Sequence, residues 1–201
     1  MTDDPSRPGF WDMRYEAGRT PWDFGGVPAA LRRFLSSHSA KDRTALIPGC
    51  GTGYEIEAFA QAGYAVTAID FSPPAVARAQ ARLAPARAKQ IVLGDFFTHA
   101  FTDASFDCIY ERTFLCALPP DRWPQVAARF ATLLKPDGLL VGFFYFGDKE
   151  EGPPYGLAPA EDARLLAEYF VLKDDQPVKD SLPLFAGRER WQVRQRKTKP
   201  I

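Results

Sequence analysis

The stretch Leu46-Ile47-Pro48-Gly49-Cys50-Gly51-Thr52-Gly53 decides how the chain is read. A short apolar run, "TALI", leads into three glycines at alternate positions, and "YEIEAFAQA" follows with the apolar spacing of a helix. Glycine tolerates left-handed backbone and carries no Cβ, so such a turn bends sharply and lets a ligand approach the main chain. A plain strand-to-helix turn would use the same residues, so the glycines alone do not settle the matter. The next strand does. "AVTAID" ends at Asp70, seventeen residues after Gly53, where an acidic side chain is placed to accept hydrogen bonds from ribose hydroxyls.

Outward from this unit the chain alternates. "VPAALRRFL" precedes it as an amphipathic helix. "SPPAVARAQARL" follows as a helix with Ser72 at its N-cap and prolines in its first turn. "QIVL" and "FDCIYE" read as strands, "DRWPQVAARFATLL" as a helix closed by a "KPDG" turn, and "LLVGFFYF" as a buried strand. "PAEDARLLAEY" is helical, and "FVLKDD" and "RERWQVRQRK" form an antiparallel terminal pair. The expected fold is α/β: a doubly wound, seven-stranded, mostly parallel sheet with an antiparallel terminal strand. Ligands in such sheets bind beyond the carboxyl ends of the strands, where Pro48 delivers the glycines.

The spacing discriminates between cofactors. A dinucleotide fingerprint needs glycine in the sixth place, but Tyr54 stands there counting from Gly49, and Ile56 counting from Gly51. A dehydrogenase is disfavoured accordingly. S-adenosylmethionine, with a ribose and no phosphate, suits the G-x-G-x-G turn. Asp95 and Phe96 in "LGDFF" are suited to hydrogen-bonding and covering its adenine.

Composition restricts the rest. The 201 residues carry 25 basic and 25 acidic side chains, which argues against capture of nucleic acid or an anionic membrane. No apolar run approaches the roughly 20 residues of a membrane span. The opening "MTDDPSRPGFW" is acidic where a secretory signal is basic and then apolar. Three cysteines without metal-ligand spacing, and histidines at 38 and 99 without an evident partner, fit a reducing cytoplasm and no metal site. A single domain over 1–201 is expected, with 1–26 as an aromatic N-terminal segment and 43–201 as the α/β core. A monomer is compatible with this composition.

Taken together, "FWDMRYEAGRTPWD", "IPGCGTGYE", "GDFF" and "EGPPYG" resemble the thiopurine methyltransferase superfamily within the class I S-adenosylmethionine-dependent methyltransferases. This branch carries an apolar residue and proline, Ile47 and Pro48, where many class I enzymes have an acid. The resemblance implies that Trp11, Tyr15 and Trp22 cover the cofactor, although Tyr15 stands where Trp is usual. It also implies that Tyr15, Trp22 and Tyr155 wall the acceptor pocket, and that Arg112 lies against the cofactor beside Gly49, Gly51, Asp70, Asp95 and Phe96. Without a ligand, Trp11 and Tyr15 would form a packing staple, and Glu111 with Arg112 a surface ion pair.

The implied reaction is methyl transfer to a small soft nucleophile, a thiol in the first place. Alternatives are a nitrogen or oxygen acceptor, or a module that binds the cofactor without turnover. A thiol near its reference pKa of about 8.5 is partly ionised at neutral pH, so a base is helpful but not obligatory. Glu111 is the nearest candidate base. Cys50 reads as a small residue filling the turn, since direct transfer needs no covalent enzyme intermediate.

Overall fold

The apolar run before the glycine turn is strand β1, Arg43–Pro48, whose residues from Ala45 onward are all buried. Unbroken burial without alternation is the pattern of a parallel strand covered on both faces. The computed structural model describes residues 4–39, 41–147, 151–185 and 187–198. Among them seven strands form a mixed sheet in the order β3-β2-β1-β4-β5-β7-β6. The chain divides into two compact units, 1–99 and 100–201.

In the first unit β1 pairs in parallel with β2 (Tyr64–Asp70), and β2 with β3 (Ile91–Leu93). Helix α1 (Pro8–Glu16) packs on α4 (Pro73–Arg82), and α2 (Ala29–Ser37) on α3 (Tyr54–Gln61). Helix α2 buries Ala30, Leu31, Phe34 and Leu35 and leaves Arg32 and Arg33 exposed, the apolar stripe its spacing predicts. Ser72 caps α4 by accepting the Ala75 N–H at 3.4 Å. The short α5 (Pro85–Ala88) leads into β3. His38 does have partners. Its ring stacks on Phe34 with centroids 4.2 Å apart, and its Nδ1 lies 3.0 Å from the Phe34 carbonyl oxygen.

In the second unit β4 (Phe106–Arg112) pairs in parallel with β5 (Leu134–Tyr145). The terminal strands β6 (Phe170–Pro177) and β7 (Glu189–Arg196) are antiparallel, and β7 runs antiparallel to β5. The "KPDG" segment is not a turn between helix and strand but an irregularity inside β5. Phe106 faces Leu134 while Cys108 already faces Leu139, and Asp137 adopts φ +62°. Helix α6 (Trp123–Leu133) packs on β5 through a face that includes Val126, Ala127 and Phe130. Helix α7 (Pro159–Leu165) stops short of the expected Tyr169, because the chain turns at Leu166 to enter β6. An ion pair joins α7 to β7: Nη2 of Arg194, a side chain 2 % exposed, donates to both carboxylate oxygens of Asp162 at 2.7 Å.

Gly142 has a demanding role. A Cβ there would lie 1.8 Å from the Glu111 carbonyl oxygen, so only glycine lets β5 lie this close to the end of β4.

Candidate active site

The first unit assembles the glycine turn and Asp70 into one structure. Gly49, Gly51 and Gly53 have φ of +56°, +52° and +68°, all in the left-handed region. The Asp70 carboxylate accepts the Gly51 N–H through Oδ2 and the Ser72 N–H through Oδ1, each at 2.9 Å. It therefore clamps the turn to the start of α4. Burial pushes its pKa up to about 6, opposed by those two backbone bonds and reinforced by the Asp12 charge. The Phe71 N–H also acts on the carboxylate, whose two oxygens together offer about four acceptor sites and so keep room for a further donor.

The Asp70 carbonyl also accepts the Gly94 N–H at 3.0 Å, which ties the "GDFF" loop to the same point. Asp95 in that loop is exposed and accepts the Phe97 N–H at 2.7 Å, while Phe96 is buried.

The N-terminal aromatics form one cluster. Trp11 and Trp22 meet edge to face at 5.2 Å, Tyr15 and Trp22 at 5.9 Å, and Phe10 and Trp11 at 5.0 Å. This cluster lies on the glycine turn: a Cβ on Gly51 would come 2.7 Å from the Tyr15 hydroxyl oxygen. Burial, and after it the Asp70 charge, raise the Tyr15 hydroxyl well above its ordinary range.

Polar ties not anticipated from the sequence fasten the segment. The Ser72 hydroxyl donates to Asp12 and the Thr52 hydroxyl to Asp23, both at 2.6 Å, and the Arg78 guanidinium donates to the Tyr15 carbonyl. The only local signals for these were a threonine inside the glycine turn and acids beside Trp11 and Trp22.

In the second unit, Glu111 is not half of a surface ion pair. It is 1 % exposed at the end of β4. Its Oε1 accepts the N–H groups of Phe114 at 3.0 Å and Leu115 at 2.9 Å, and Oε2 is buried without a hydrogen-bond partner. Burial, with the Glu189 charge added, pushes its pKa up to about 7 against the two backbone bonds and Arg112. The Arg112 guanidinium lies over the Phe143 ring, 4.4 Å from its centroid.

Tyr155 reaches the same place from the "GPPY" loop. Its N–H donates to the Cys116 carbonyl at 2.8 Å, and its ring lines a cavity with Glu111, Cys116 and Tyr145. A Cβ on Gly152 would come 2.6 Å from that ring, which explains the glycine before the two prolines. The structure thus brings together Glu111 and Tyr155, which the sequence offered separately. The Cys50 and Cys116 thiols are raised well above their ordinary range, mainly by burial, and so are poor nucleophiles. Among the described residues no cluster of His, Cys, Asp and Glu could hold a metal ion, and no helix is long and apolar enough to cross a membrane.

The strand order, the glycine turn after β1 and the acid ending β2 define a class I methyltransferase fold. A solved structure agrees: the 1,6-didemethyltoxoflavin-N1-methyltransferase of Burkholderia thailandensis superimposes with a TM-score of 0.74 at 24 % identity, covering 96 % of this chain and 87 % of that one. The more particular assignment comes from sequence relatives. The sequence model of the thiopurine S-methyltransferase family matches residues 6–200, and the chain belongs to that family. It is 35 % identical to a probable thiol methyltransferase 2 of Arabidopsis thaliana over 79 % of this chain and 71 % of the relative. It is 30 % identical to a thiopurine S-methyltransferase of Pseudomonas fluorescens over 83 % and 84 % of the two chains.

Proposed function

We propose that the protein transfers the methyl group of S-adenosylmethionine to the sulfur of a small thiol. One observation carries the reading of the site: the buried Asp70 carboxylate, hydrogen-bonded to the Gly51 N–H, beside an aromatic cluster that lies on the same turn. Family membership supports sulfur as the acceptor atom.

The residues of the first unit fit the cofactor. Its turn lacks Cβ atoms at three alternate positions, and Asp70 keeps acceptor capacity for ribose hydroxyls. When bound, the cofactor supplies an electrophilic methyl group on a sulfonium. Gly49 and Gly51 admit it to the backbone, Asp70 accepts from its ribose, and Asp95 and Phe96 receive its adenine. Trp11, Tyr15 and Trp22 close over it, because aromatic faces attract a sulfonium charge and exclude water. Arg112 is assigned to the cofactor as well, on the family resemblance. Tyr15 and Trp22 in the first unit, and Tyr155 in the second, are assigned to acceptor binding.

A sulfonium carries its own good leaving group, so the protein acts mainly by aligning acceptor and methyl and keeping water out. Residues 1–26 serve as the lid and 43–201 as the core of one functional domain. Three cysteines without metal-ligand spacing support work in a reducing cytoplasm, and a monomer is the proposed state.

The test is incubation with isotopically labelled cofactor and a panel of thiols, amines and alcohols, read by product mass. Thioether products are expected to form fastest. Faster methylation of an amine or alcohol than of any thiol would overturn the acceptor class. Binding of the cofactor with no methylated product would leave a sensor instead of an enzyme.

A further inference from the structure

Glu111 does more than cap a turn. Capping the turn at 115–117 uses only Oε1, which accepts the Phe114 and Leu115 N–H groups. Those two bonds fix the carboxyl plane and leave Oε2 buried with no partner. A buried unpartnered carboxylate oxygen is costly, and a neutral glutamine would cap equally well. The residue lines the cavity that Tyr155 also lines, and the space there, about 10 Å³, is room for about one water molecule.

Charged and titratable groups act on Glu111 from three elements. Arg112 acts from β4, Glu189 from β7 and the Cys116 thiol from the following turn. Tyr145 on β5, whose hydroxyl is also buried and without a partner, shares the cavity with Tyr155. Glu111 and Glu189 share the one Arg112 charge, and Asp180 adds a further negative charge beside Glu189. Glu111 and Glu189 are both shifted upward, first by burial, Glu111 to about 7. A proton acceptor works best when it titrates near the operating pH.

We propose that Glu111 is the proton acceptor of the reaction, taking the proton of the acceptor thiol on Oε2 along one water held in the cavity. The S–H bond breaks with its electron pair left on sulfur, and the proton forms the carboxylic acid of Glu111. The thiolate pair then forms the new S–C bond as the methyl leaves its sulfonium donor, which keeps the old bonding pair. Glu111 returns the proton to solvent after the thioether departs. This rests on the reading of the protein as a thiol methyltransferase, and it replaces acceptance of an already ionised thiolate with ionisation on the enzyme.

The test combines pH profiles of kcat/KM, counted per total thiol, for three aromatic thiols of different acidity, with wild type and Glu111→Gln. An absorbance arm needs no turnover: each thiol is mixed with protein and S-adenosylhomocysteine, and the thiolate band is recorded. Glutamine keeps a carbonyl for the Phe114 and Leu115 N–H groups, so the fold is retained. The wild-type profile also decides alone if the variant is unstable. Expected are a midpoint near pH 7 shared by all three thiols and a loss of roughly 10²-fold or more in the variant, greatest for the least acidic thiol. The bound thiolate band should be present in wild type and absent in Glu111→Gln. Midpoints that follow each thiol's own pKa, or an unchanged variant, would overturn the proposal. If only amines are methylated, the thiol reading falls by itself, and Glu111 falls with it only if the amine profile lacks the fixed midpoint.

Discussion

Replacing Glu111 by glutamine should change how the stability of the unliganded protein depends on pH, independently of catalysis. In the folded state this carboxyl titrates at about 7 instead of 4.5. The native protein therefore binds more protons than the unfolded chain between those values. Wild-type stability is fully present below pH 4.5 and declines as pH rises through about 7. At 1.36 kcal/mol per pKa unit, this shift corresponds to about 3 kcal/mol. Glutamine has no such proton. Its carbonyl keeps the bonds from Phe114 and Leu115, and its amide adds a pH-independent cost of about 1–3 kcal/mol where Oε2 now lies unpartnered.

The variant's stability relative to wild type should therefore move in its favour by about 3 kcal/mol between pH 4.5 and 8, whatever the offset. Part of that gain belongs to Glu189, whose upward shift is tied to the same charges. Urea unfolding of both proteins in matched buffers across this range measures the difference directly. Parallel stability curves would refute the reasoning, because they would mean that Glu111 stays ionised and solvated in the native protein.

Gly51→Ala should destabilise the protein by about 1–2 kcal/mol from its left-handed backbone alone. Its new Cβ also displaces the Tyr15 hydroxyl, so hydrogen exchange of residues 8–22 should rise; unchanged exchange would detach Tyr15 from the turn. Asp70→Ala should weaken S-adenosylmethionine binding by roughly 1.5–3 kcal/mol in calorimetry. Wild-type affinity should also fall as pH drops through about 6, where the acceptor carboxylate becomes protonated; affinity flat with pH would remove Asp70 from the ribose. Saturating cofactor should protect the segment from Trp11 to Trp22 more than buried strand β5. Equal protection with and without cofactor would make the aromatic cluster a fixed packing staple.

Some of this molecule could be read from local pattern. An apolar run into alternate glycines, with an acid closing the next apolar run, specifies backbone conformation and strand direction within about 25 residues. That is why β1, the turn, α3 and β2, with Asp70 at its end, follow from the sequence, whereas the bond from the Gly51 N–H to Asp70 emerges only in the structure. Ser72 as a cap and the antiparallel terminal pair are local signals of the same kind.

Other features depend on neighbours that no short window contains. Beside Arg112 in sequence, Glu111 reads as half of a surface pair; its burial comes from β5 and its charge environment from Glu189 on β7. Tyr155 joins the Glu111 cavity because its N–H finds the Cys116 carbonyl, thirty-nine positions earlier in the chain. The Asp12–Ser72 and Asp23–Thr52 bonds have no periodicity to betray them. Periodicity and turn chemistry are properties of adjacent residues, and the sequence carries them openly. Desolvation and charge coupling sum over everything that surrounds a group, so only the tertiary structure decides which acid keeps a proton.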